Sequence, residues 1–540
     1  MTTPSLSQTE LVRPSLHYPR MPYDRGLTQA ATRWPENTAI VFKDINLTFR
    51  ELEALANRFA HALRGLGIRK GEHVCVLTTN CPEFVVAFYG LARVGAVASP
   101  MNPSYKEREV EYQLGNAEAV AVIVHHTLLP LVEAVRDKLP RLRHVIVIGP
   151  GEPPAQARVE RFAALIARHP STPPPPITVS ETDLVALPYS SGTTGLPKGV
   201  MLTHHNLVAN NLQFVAAIRL RENDRLMLFL PLYHIYGAML MGGGVCAGAT
   251  LVLMERFEPL ECLRLIARHG VTLFFVVPPV LNLLAQMMPD IKSYDFSTVR
   301  LTMVGAAPVA PELSRRFREL TGVPVLQGYG LTEAAPLTHL NPVWDDALNV
   351  IDSCGLPAHD TEHKVVDVET GERTLPPGEV GEICIRGPQV MQGYWKAPEA
   401  SAETLRDGWL YTGDIGSVDE HGYTFIRDRK KEMIKYNGFG VAPAEIEALL
   451  LEHPGVADVA VIGKPDAEAG EVPKAFVVRR ATAAALTADE LLTFARGRLA
   501  TYKTLHEIEF IDAIPKNPSG KILRRILKER ERAAAEARPA

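Results

Sequence analysis

Residues 189–199 read YSSGTTGLPKG, and this stretch is the most informative in the chain. Its glycines allow a backbone with positive φ and bring N–H groups close to an anion. Hydroxyls and one lysine add further anion-binding groups, on Ser190, Ser191, Thr193, Thr194 and Lys198. The lysine is followed by Gly199, whereas a Walker A loop has Ser or Thr there. The stretch therefore predicts a polyphosphate-binding loop of another kind, with a Ser/Gly surface turn as the structural alternative.

The overall composition is that of an ordinary globular protein. The chain has 540 residues, of which 46% are hydrophobic and 22% charged, with a formal net charge of −4. This balance excludes a disordered chain and a protein that coats nucleic acid. A bound polyphosphate would therefore have to meet positive charge that is concentrated locally.

The cysteines and the N-terminus predict a cytoplasmic location. The six cysteines show no CxxC pattern, which disfavours a disulfide framework or a zinc site and fits a reducing compartment. The N-terminus lacks a basic start followed by an apolar core, so no signal peptide is predicted. Residues 226–254 are apolar and long enough to span a bilayer, but Pro231, the polar residues around His234 and several glycines favour a buried strand, turn and helix. No transmembrane segment is predicted, while peripheral contact with a membrane stays open.

Helical and strand patterns alternate through the first half of the chain. Residues 48–66 and 83–94 have helical periodicity, whereas 73–77 and 119–124 are short apolar strands. This alternation predicts mostly parallel sheets flanked by helices. Further strands are predicted at 273–277 and 301–304, followed by turns of small residues such as Gly305 and Ala306. Ligands of open α/β sheets bind beyond the carboxyl ends of the strands, so these turns are expected near the site.

The pattern changes after Pro377, where short strands joined by turns are predicted at 382–386, 423–427 and 457–463. We therefore predict an α/β protein with a large N-terminal domain of layered α/β subdomains, residues 1–428. Residues 429–540 would form a small, mobile α+β domain, with the boundary at Asp428/Arg429.

Two short motifs predict carboxylates at a nucleotide site. Residues 328–333 read GYGLTE, and Glu333 beside a polyphosphate would serve as a magnesium ligand; the alternative is a helix N-terminal cap. Residues 411–414 read YTGD, and Asp414 can accept two hydrogen bonds from ribose hydroxyls; the alternative is an ordinary turn aspartate.

Two basic segments lie near the predicted boundary and near the C-terminus. Residues 427–435 include five basic residues. They form either a solvated face of the protein or a set of cations that contact a nucleotide when the small domain closes. Residues 515–521 read PKNPSGK and present Lys521 on a tight turn. The alternative is that Lys521 belongs to the basic face of the tail helix that follows.

Taken together, these motifs resemble the adenylate-forming superfamily of acyl-CoA synthetases, peptide-synthetase adenylation domains and beetle luciferases. The resemblance spans nearly the whole chain after its first residues. The matching motifs are YSSGTTGLPKG, LPLYHIYG (230–237), QGYGLTE (327–333), YTGD (411–414), DRKKEMIKYNGFGVAP (428–443) and PKNPSGK (515–521).

The resemblance implies a role for each matching residue at an ATP site. The β- and γ-phosphates would be held by Ser190, Ser191, Gly192, Thr193, Thr194 and Lys198. Thr332 would reach the α-phosphate, Glu333 the Mg²⁺ ion, and Asp414 and Arg429 the ribose hydroxyls. Further nucleotide contacts are implied for Gln327, Gly328 and Tyr329. Lys521 would bridge the substrate carboxylate and the α-phosphate, which makes Lys521, Thr332, Glu333 and His234 the implied catalytic group.

The implied reaction has two halves. A carboxylate and MgATP give an acyl-adenylate and pyrophosphate, and the thiol of coenzyme A then displaces AMP. Members of the superfamily use two closed arrangements of the small domain, with Lys431 at the hinge and Lys435, Asn437 and Gly438 on the coenzyme A side. Asn437 and Gly440 differ from the residues that many relatives carry. The implied partners are the acid, ATP and coenzyme A, and no nucleic acid is expected. The sequence leaves open whether the protein forms a homodimer.

The predicted acyl pocket has His234 at its entrance and consists of Tyr236, Met239, Met241, Gly242, Gly243, Gly305, Ala306, Gln327, Gly330 and Pro336. Its glycines and flexible methionines favour an apolar, roomy channel for an alkyl chain. A medium- or long-chain fatty acid is therefore the predicted substrate. The alternatives are an aryl acid of the 4-coumarate type and, more remotely, a non-catalytic nucleotide-binding protein.

Overall fold

The computed structural model describes most of the chain. The described residues are 13–150, 159–180, 182–190, 197–287, 290–307, 309–436, 439–466, 469–496, 498–499, 503–516 and 520–536.

Two large sheets with parallel centres form the first part of the fold. The strands of the first sheet, in spatial order, are Leu356–Pro357, Leu337–Leu340, Val325–Gly330, Leu301–Val304, Leu273–Val276, Arg225–Leu228, Thr250–Leu253, Thr38–Phe42 and Ile45–Thr48. The run from Val325–Gly330 to Thr38–Phe42 is parallel, and the outer strands are antiparallel. Its central strands Leu273–Val276 and Leu301–Val304 are fully buried and, apart from Thr302, apolar, as expected for a parallel sheet that is covered on both faces.

The second sheet carries the strand that contains Lys198. Its strands, in spatial order, are Gly393–Tyr394, Lys198–Thr203, Leu184–Ala186, Val97–Met101, His73–Leu77, Ala121–His125, His144–Ile148 and Val159–Arg161, with Tyr189–Ser190 paired to Lys198–Thr203. The strands from Leu184–Ala186 to Val159–Arg161 are parallel. Lys198–Thr203 is antiparallel to its three partners, which brings Gly393–Tyr394 alongside it.

Helices cover these sheets and begin at recognisable signals. Thr48 and Glu51 form a capping box at the start of Phe49–Gly65, which satisfies free N–H groups of the first turn. The α-helices of the described residues are Arg25–Arg33, Phe49–Gly65, Pro82–Val94, Glu107–Asn116, Leu129–Glu133, Phe162–Ala167, His204–Ala217, Ile235–Ala247, Pro259–His269, Pro278–Gln286, Pro311–Thr321, Pro398–Thr404, Pro443–Leu451, Ala488–Arg496 and Arg524–Glu536.

The predicted mixed α/β fold is confirmed. The apolar stretch 226–254 consists of strand Arg225–Leu228, helix Ile235–Ala247 and strand Thr250–Leu253, as predicted. None of the helices in the described part of the chain combines the length and the apolar character that a membrane span requires. The strand predicted at 119–124 is observed at Ala121–His125. Val120 precedes it, and its N–H donates to the carbonyl of His73, the first residue of the neighbouring strand.

Two smaller, mostly antiparallel sheets follow. The third contains Glu362–Val366, Gly381–Arg386, Trp409–Val418 and Leu405–Arg406, with Thr424–Arg429 paired to Trp409–Val418. The fourth contains Phe439–Val441, Ile434–Tyr436, Gly470–Arg479 and Val456–Asp466, with Glu507–Phe510 paired to Gly470–Arg479. The predicted domain boundary, Asp428/Arg429, falls within the last two residues of a strand of the third sheet, so the division at that point stays a prediction.

Gly520, directly before Lys521, packs against a helix that flanks the first sheet. Gly520 has φ +81°, and a Cβ there would lie 2.5 Å from Cγ of Pro279. Pro279 belongs to helix Pro278–Gln286, which follows strand Leu273–Val276. Gly520 therefore lies at the carboxyl end of a central parallel strand, where ligands of such sheets bind.

Candidate active site

The predicted phosphate loop lies between two paired strands. Ser190 pairs with Lys198, and both ends of the loop are held by helix Glu107–Asn116. The Tyr189 hydroxyl donates to Oδ1 of Asn116 at 2.6 Å, and the Tyr112 hydroxyl donates to the Pro197 carbonyl at 2.8 Å. Ser191, Gly192, Thr193 and Thr194 lie outside the described residues. The described ends of the loop are thus fixed by half-buried contacts.

Tyr394 connects the predicted phosphate lysine to the predicted magnesium ligand. Nζ of Lys198 lies 5.2 Å from the ring centroid of Tyr394, and the Tyr394 hydroxyl donates to Oε1 of Glu333 at 2.8 Å. Glu333 and Thr332 share the 3₁₀ turn Thr332–Ala334. The structure therefore brings Lys198, Thr332 and Glu333 to one region through a residue that sequence reasoning did not single out.

The donor set at Glu333 fits a magnesium ion that arrives with ATP. Among the described residues, no hydrogen bond reaches Oε2 of Glu333, and no group of three or more His, Cys, Asp or Glu side chains could hold a metal by itself. Magnesium typically takes one or two carboxylates together with substrate phosphates and waters. One carboxylate with an available oxygen is consistent with that pattern.

The predicted ribose pair is assembled by strand register. Asp414 pairs with Arg429 across the third sheet, and Nε of Arg429 lies 2.9 Å from Oδ1 of Asp414. The Tyr329 hydroxyl donates to Oδ2 of the same carboxylate. The Asp414 charge raises the pKa of Arg429, while burial and then Asp414 raise the pKa of Tyr329. Asp414 therefore lies between two donors, and the resemblance assigns this carboxylate to the ribose.

Lys521 reaches this site from the small domain. Burial and then the positive charge of Arg429 lower the pKa of Lys521, while Glu432, Asp414 and Glu333 act in the opposite direction. A buried ammonium that is opposed by another cation costs free energy unless anions are nearby. A carboxylate and a phosphate between these cations would relieve that cost.

His234 lies close to Lys521 at the start of a helix. Its Nδ1 accepts from the Tyr236 N–H at 3.2 Å, which caps helix Ile235–Ala247. Burial and then the charge of Lys521 lower the pKa of His234 to about 4. His234 is therefore neutral near pH 7, and it would not repel the lysine that the reaction needs.

The predicted acyl pocket contains a close contact between Tyr236 and Gly305. A Cβ at Gly305 would lie 3.1 Å from Cε1 of Tyr236, so a larger residue there would displace the ring. The Tyr236 hydroxyl is buried and has no hydrogen-bond partner among the described residues. Ala306 has φ +71°, and Gly330 lies against Pro336, since a Cβ at Gly330 would fall 2.0 Å from the Pro336 oxygen.

Other predicted pocket residues lie in tight helix packing. A Cβ at Gly242 would fall 2.3 Å from the Tyr23 hydroxyl, and one at Gly243 would fall 2.4 Å from Cδ1 of Phe214. Met239 and Met241 are buried in the same core. The glycines of this helix thus allow close approach to neighbouring helices. The expectation of a roomy channel, which rested partly on them, gains no support from this packing.

The remaining predicted residues have varied environments. Oε1 of Gln327 accepts from the Val309 N–H at 3.3 Å, and its Nε2 donates to the Ile351 carbonyl. Gly328 lies beside strand Leu337–Leu340. Lys431 and Lys435 are exposed, and the Lys435 N–H donates to Glu471. Asn437 and Gly438 lie outside the described residues.

The structure combines two large, mostly parallel sheets with a smaller C-terminal domain, and it brings Lys521 of that domain near Arg429, Asp414 and Glu333. The chain belongs to the family of AMP-binding enzymes: the model of the AMP-binding enzyme matches residues 27–395, and that of the AMP-binding enzyme C-terminal domain matches residues 445–521. This confirms the resemblance to the adenylate-forming superfamily.

Named relatives define the reaction class. The chain is 38% identical to a long-chain-fatty-acid–CoA ligase of Bacillus subtilis (strain 168), over 94% of each chain. It is 41% identical to 4-coumarate–CoA ligase 5 of Oryza sativa subsp. japonica, over 89% of each. Among solved structures, the anthranilate CoA ligase AuaEII in complex with anthranoyl-AMP has a TM-score of 0.87 and 32% identity, with 98% of this chain and 100% of that chain covered. The chain is an AMP-forming acid–CoA ligase that uses ATP, Mg²⁺ and coenzyme A.

Proposed function

We propose that this ligase activates a medium- or long-chain fatty acid. The observation that carries the proposal is the burial of Tyr236, whose hydroxyl has no hydrogen-bond partner among the described residues. Burial raises the pKa of this hydroxyl. A second charged group on the acid would lose its hydration there without gaining a partner, so an acid with an uncharged tail is favoured. The extent of the likeness to the Bacillus subtilis ligase supports a fatty acid within that class.

The site residues would divide the work of the first half-reaction. Lys198 and the described ends of its loop would hold the pyrophosphate that leaves, and Glu333 would ligate the Mg²⁺ ion that neutralises developing charge. Asp414 and Arg429 would fix the ribose, while Lys521 would place the carboxylate against the α-phosphate. Catalysis by such groups is positioning together with electrostatic stabilisation.

An aryl acid is the second candidate, and one observation favours it. The Tyr236 hydroxyl is buried without a partner, and an unsatisfied buried polar group costs about 1–3 kcal/mol. A polar group on an aromatic acid could satisfy it, whereas an alkyl chain could not. The 4-coumarate ligases among the relatives are consistent with this candidate.

A pyrophosphate-release assay over a panel of acids tests both candidates. The panel contains saturated acids from octanoate to octadecanoate, together with 4-coumarate and cinnamate, which differ by one hydroxyl. For a fatty acid substrate we expect kcat/KM on the best alkyl acid to exceed that on either aromatic acid by at least about tenfold, or roughly 1.4 kcal/mol. Tyr236→Phe, which removes only the hydroxyl, should leave that value within about twofold.

The opposite pattern would reject the fatty acid. Turnover of 4-coumarate well above that of every alkyl acid, lowered by Tyr236→Phe to the level of cinnamate, would assign the aryl acid and a polar contact at Tyr236. Release of AMP should require added coenzyme A with the preferred acid. If no acid in the panel released pyrophosphate, both candidates would fail.

A further inference from the structure

Tyr394 lies between two side chains to which the proposed function assigns different roles. Its hydroxyl donates to Oε1 of Glu333 at 2.8 Å, and its ring faces the ammonium of Lys198 at 5.2 Å. Lys198 would act on the departing phosphates and Glu333 on the metal. One aromatic side chain therefore contacts both proposed phosphate and metal ligands.

Backbone hydrogen bonds fix Tyr394 relative to both partners. The Met391 N–H donates to the carbonyl of Glu333 itself, and the Trp395 N–H donates to the carbonyl of Gly199, each at 2.8 Å. Between them, Tyr394 pairs with Val200 in the antiparallel ladder, and its own N–H donates to Oγ of Ser401 at 2.8 Å. The segment thus ties the Glu333 turn to the Lys198 strand at either side of the tyrosine.

We infer that Tyr394 is a positioning residue for the magnesium site, because its hydroxyl holds Oε1 of Glu333 and leaves Oε2 as the oxygen available to the ion. The inference rests on the proposed function, which assigns Glu333 to the metal. Hydrogen-bonding partners of metal ligands orient the ligand, and their loss typically lowers metal affinity by about 10–100-fold.

The hydroxyl is the donor of this pair. A phenol ordinarily loses its proton only at about pH 10, and the Tyr394 oxygen lies 2.8 Å from a carboxylate oxygen that can only accept. The cation–π contact with Lys198 depends on the ring alone. Removal of the hydroxyl therefore separates the two contacts: Tyr394→Phe loses the hydrogen bond to Glu333 and keeps the ring beside Lys198.

The test measures metal binding rather than turnover. Full-length wild type and Tyr394→Phe are each saturated with α,β-methylene-ATP, and Mn²⁺ is titrated as a paramagnetic substitute for Mg²⁺. We expect Tyr394→Phe to weaken Mn²⁺ binding about tenfold, the lower end of the range above. In pyrophosphate release, the KM for ATP at limiting Mg²⁺ should rise, while kcat at saturating Mg²⁺ should stay within about threefold.

Tyr423→Phe is the matched control. The Tyr423 hydroxyl is buried and donates to the Leu348 carbonyl at 2.8 Å, among residues of a separate small core. Its loss removes one hydrogen bond, worth about 1 kcal/mol, and should lower the melting temperature without changing Mn²⁺ affinity. If Tyr394→Phe also lowered stability and left Mn²⁺ affinity within twofold, Tyr394 would be only structural and the inference would be rejected.

Glu333→Gln separates this inference from the proposed function. It should abolish the tight Mn²⁺ binding that wild type shows. Unchanged binding in Glu333→Gln would overturn the metal role and the inference with it, whatever the acid substrate. Conversely, a wild type that binds Mn²⁺ and the ATP analogue but releases no pyrophosphate with any acid would reject the proposed function, while the effect of Tyr394→Phe would still support the inference.

Discussion

Lys521→Ala is expected to lower the rate of acyl-adenylate formation by about 10²–10³, or roughly 3–4 kcal/mol of barrier. Lys521 is half-buried and lies near Arg429, Asp414 and Glu333, and a positive charge at that place would stabilise charge as the carboxylate attacks. An alanine leaves this charge uncompensated and changes little else. Single-turnover pyrophosphate release with the preferred acid and MgATP measures the effect.

The same variant should retain the second half-reaction. Acyl-AMP supplied with coenzyme A bypasses the step at which Lys521 acts, so thioester formation should stay within a few-fold of wild type. Lys516→Ala is the control: Lys516 lies on the same motif, but its Nζ pairs with Asp458 at 2.6 Å. Near-normal pyrophosphate release by Lys521→Ala would rule out the assignment, and equal loss of both halves would point to damage to the fold.

The regular elements were largely predictable because their signals are local. Helix Phe49–Gly65 begins at a capping box that is visible in the residues themselves. The strands at 301–304 and 273–277 are short apolar runs that end in turns. Gly305 and Gly520 lie at the carboxyl end of the parallel strands. Parallel connectivity predicts that this edge of the sheet holds the ligands.

Contacts that depend on distant pairing were harder to predict. Tyr394 gains its contacts because Gly393–Tyr394 joins the strand of Lys198, and no periodicity in the sequence specifies that partner. The motif GPQVMQGYW, residues 387–395, was the feature of the sequence that could have indicated Tyr394. Asp414 and Arg429 were both predicted, but the register that pairs them, and the Tyr329 hydroxyl that completes the set, appear only in the sheet.

The glycines of helix Ile235–Ala247 show a second limit of prediction from sequence. A glycine provides free volume or allows another chain segment to approach, and composition alone does not distinguish these two uses. At Gly242 and Gly243 the space is filled by Tyr23, Asn211 and Phe214. The free volume of an acyl pocket therefore has to be inferred from its walls in three dimensions.

Contacts on either side of Lys431 are consistent with the hinge role that the resemblance implies for it. Lys430 is tied to the third sheet, through its Nζ to Oε2 of Glu382 at 2.7 Å and its N–H to the Gly413 carbonyl at 2.8 Å. Glu432 is tied to Arg524 in the C-terminal helix. Lys431 is exposed between these two anchors, so rotation about its backbone would move one anchor relative to the other.

Lys431→Pro is therefore expected to impair thioester formation on the order of 10²-fold, because small misplacement of reacting groups has costs of that size. Proline fixes φ near −65° and restricts the residue before it, which would oppose rotation of the small domain after the adenylate forms. Pyrophosphate release should fall by less than about threefold, since the arrangement described here already has Lys521 at the nucleotide site. Lys431→Ala keeps the backbone free, so it should support both halves. If proline slowed both halves equally, or if alanine matched proline, the backbone of Lys431 would not be the pivot.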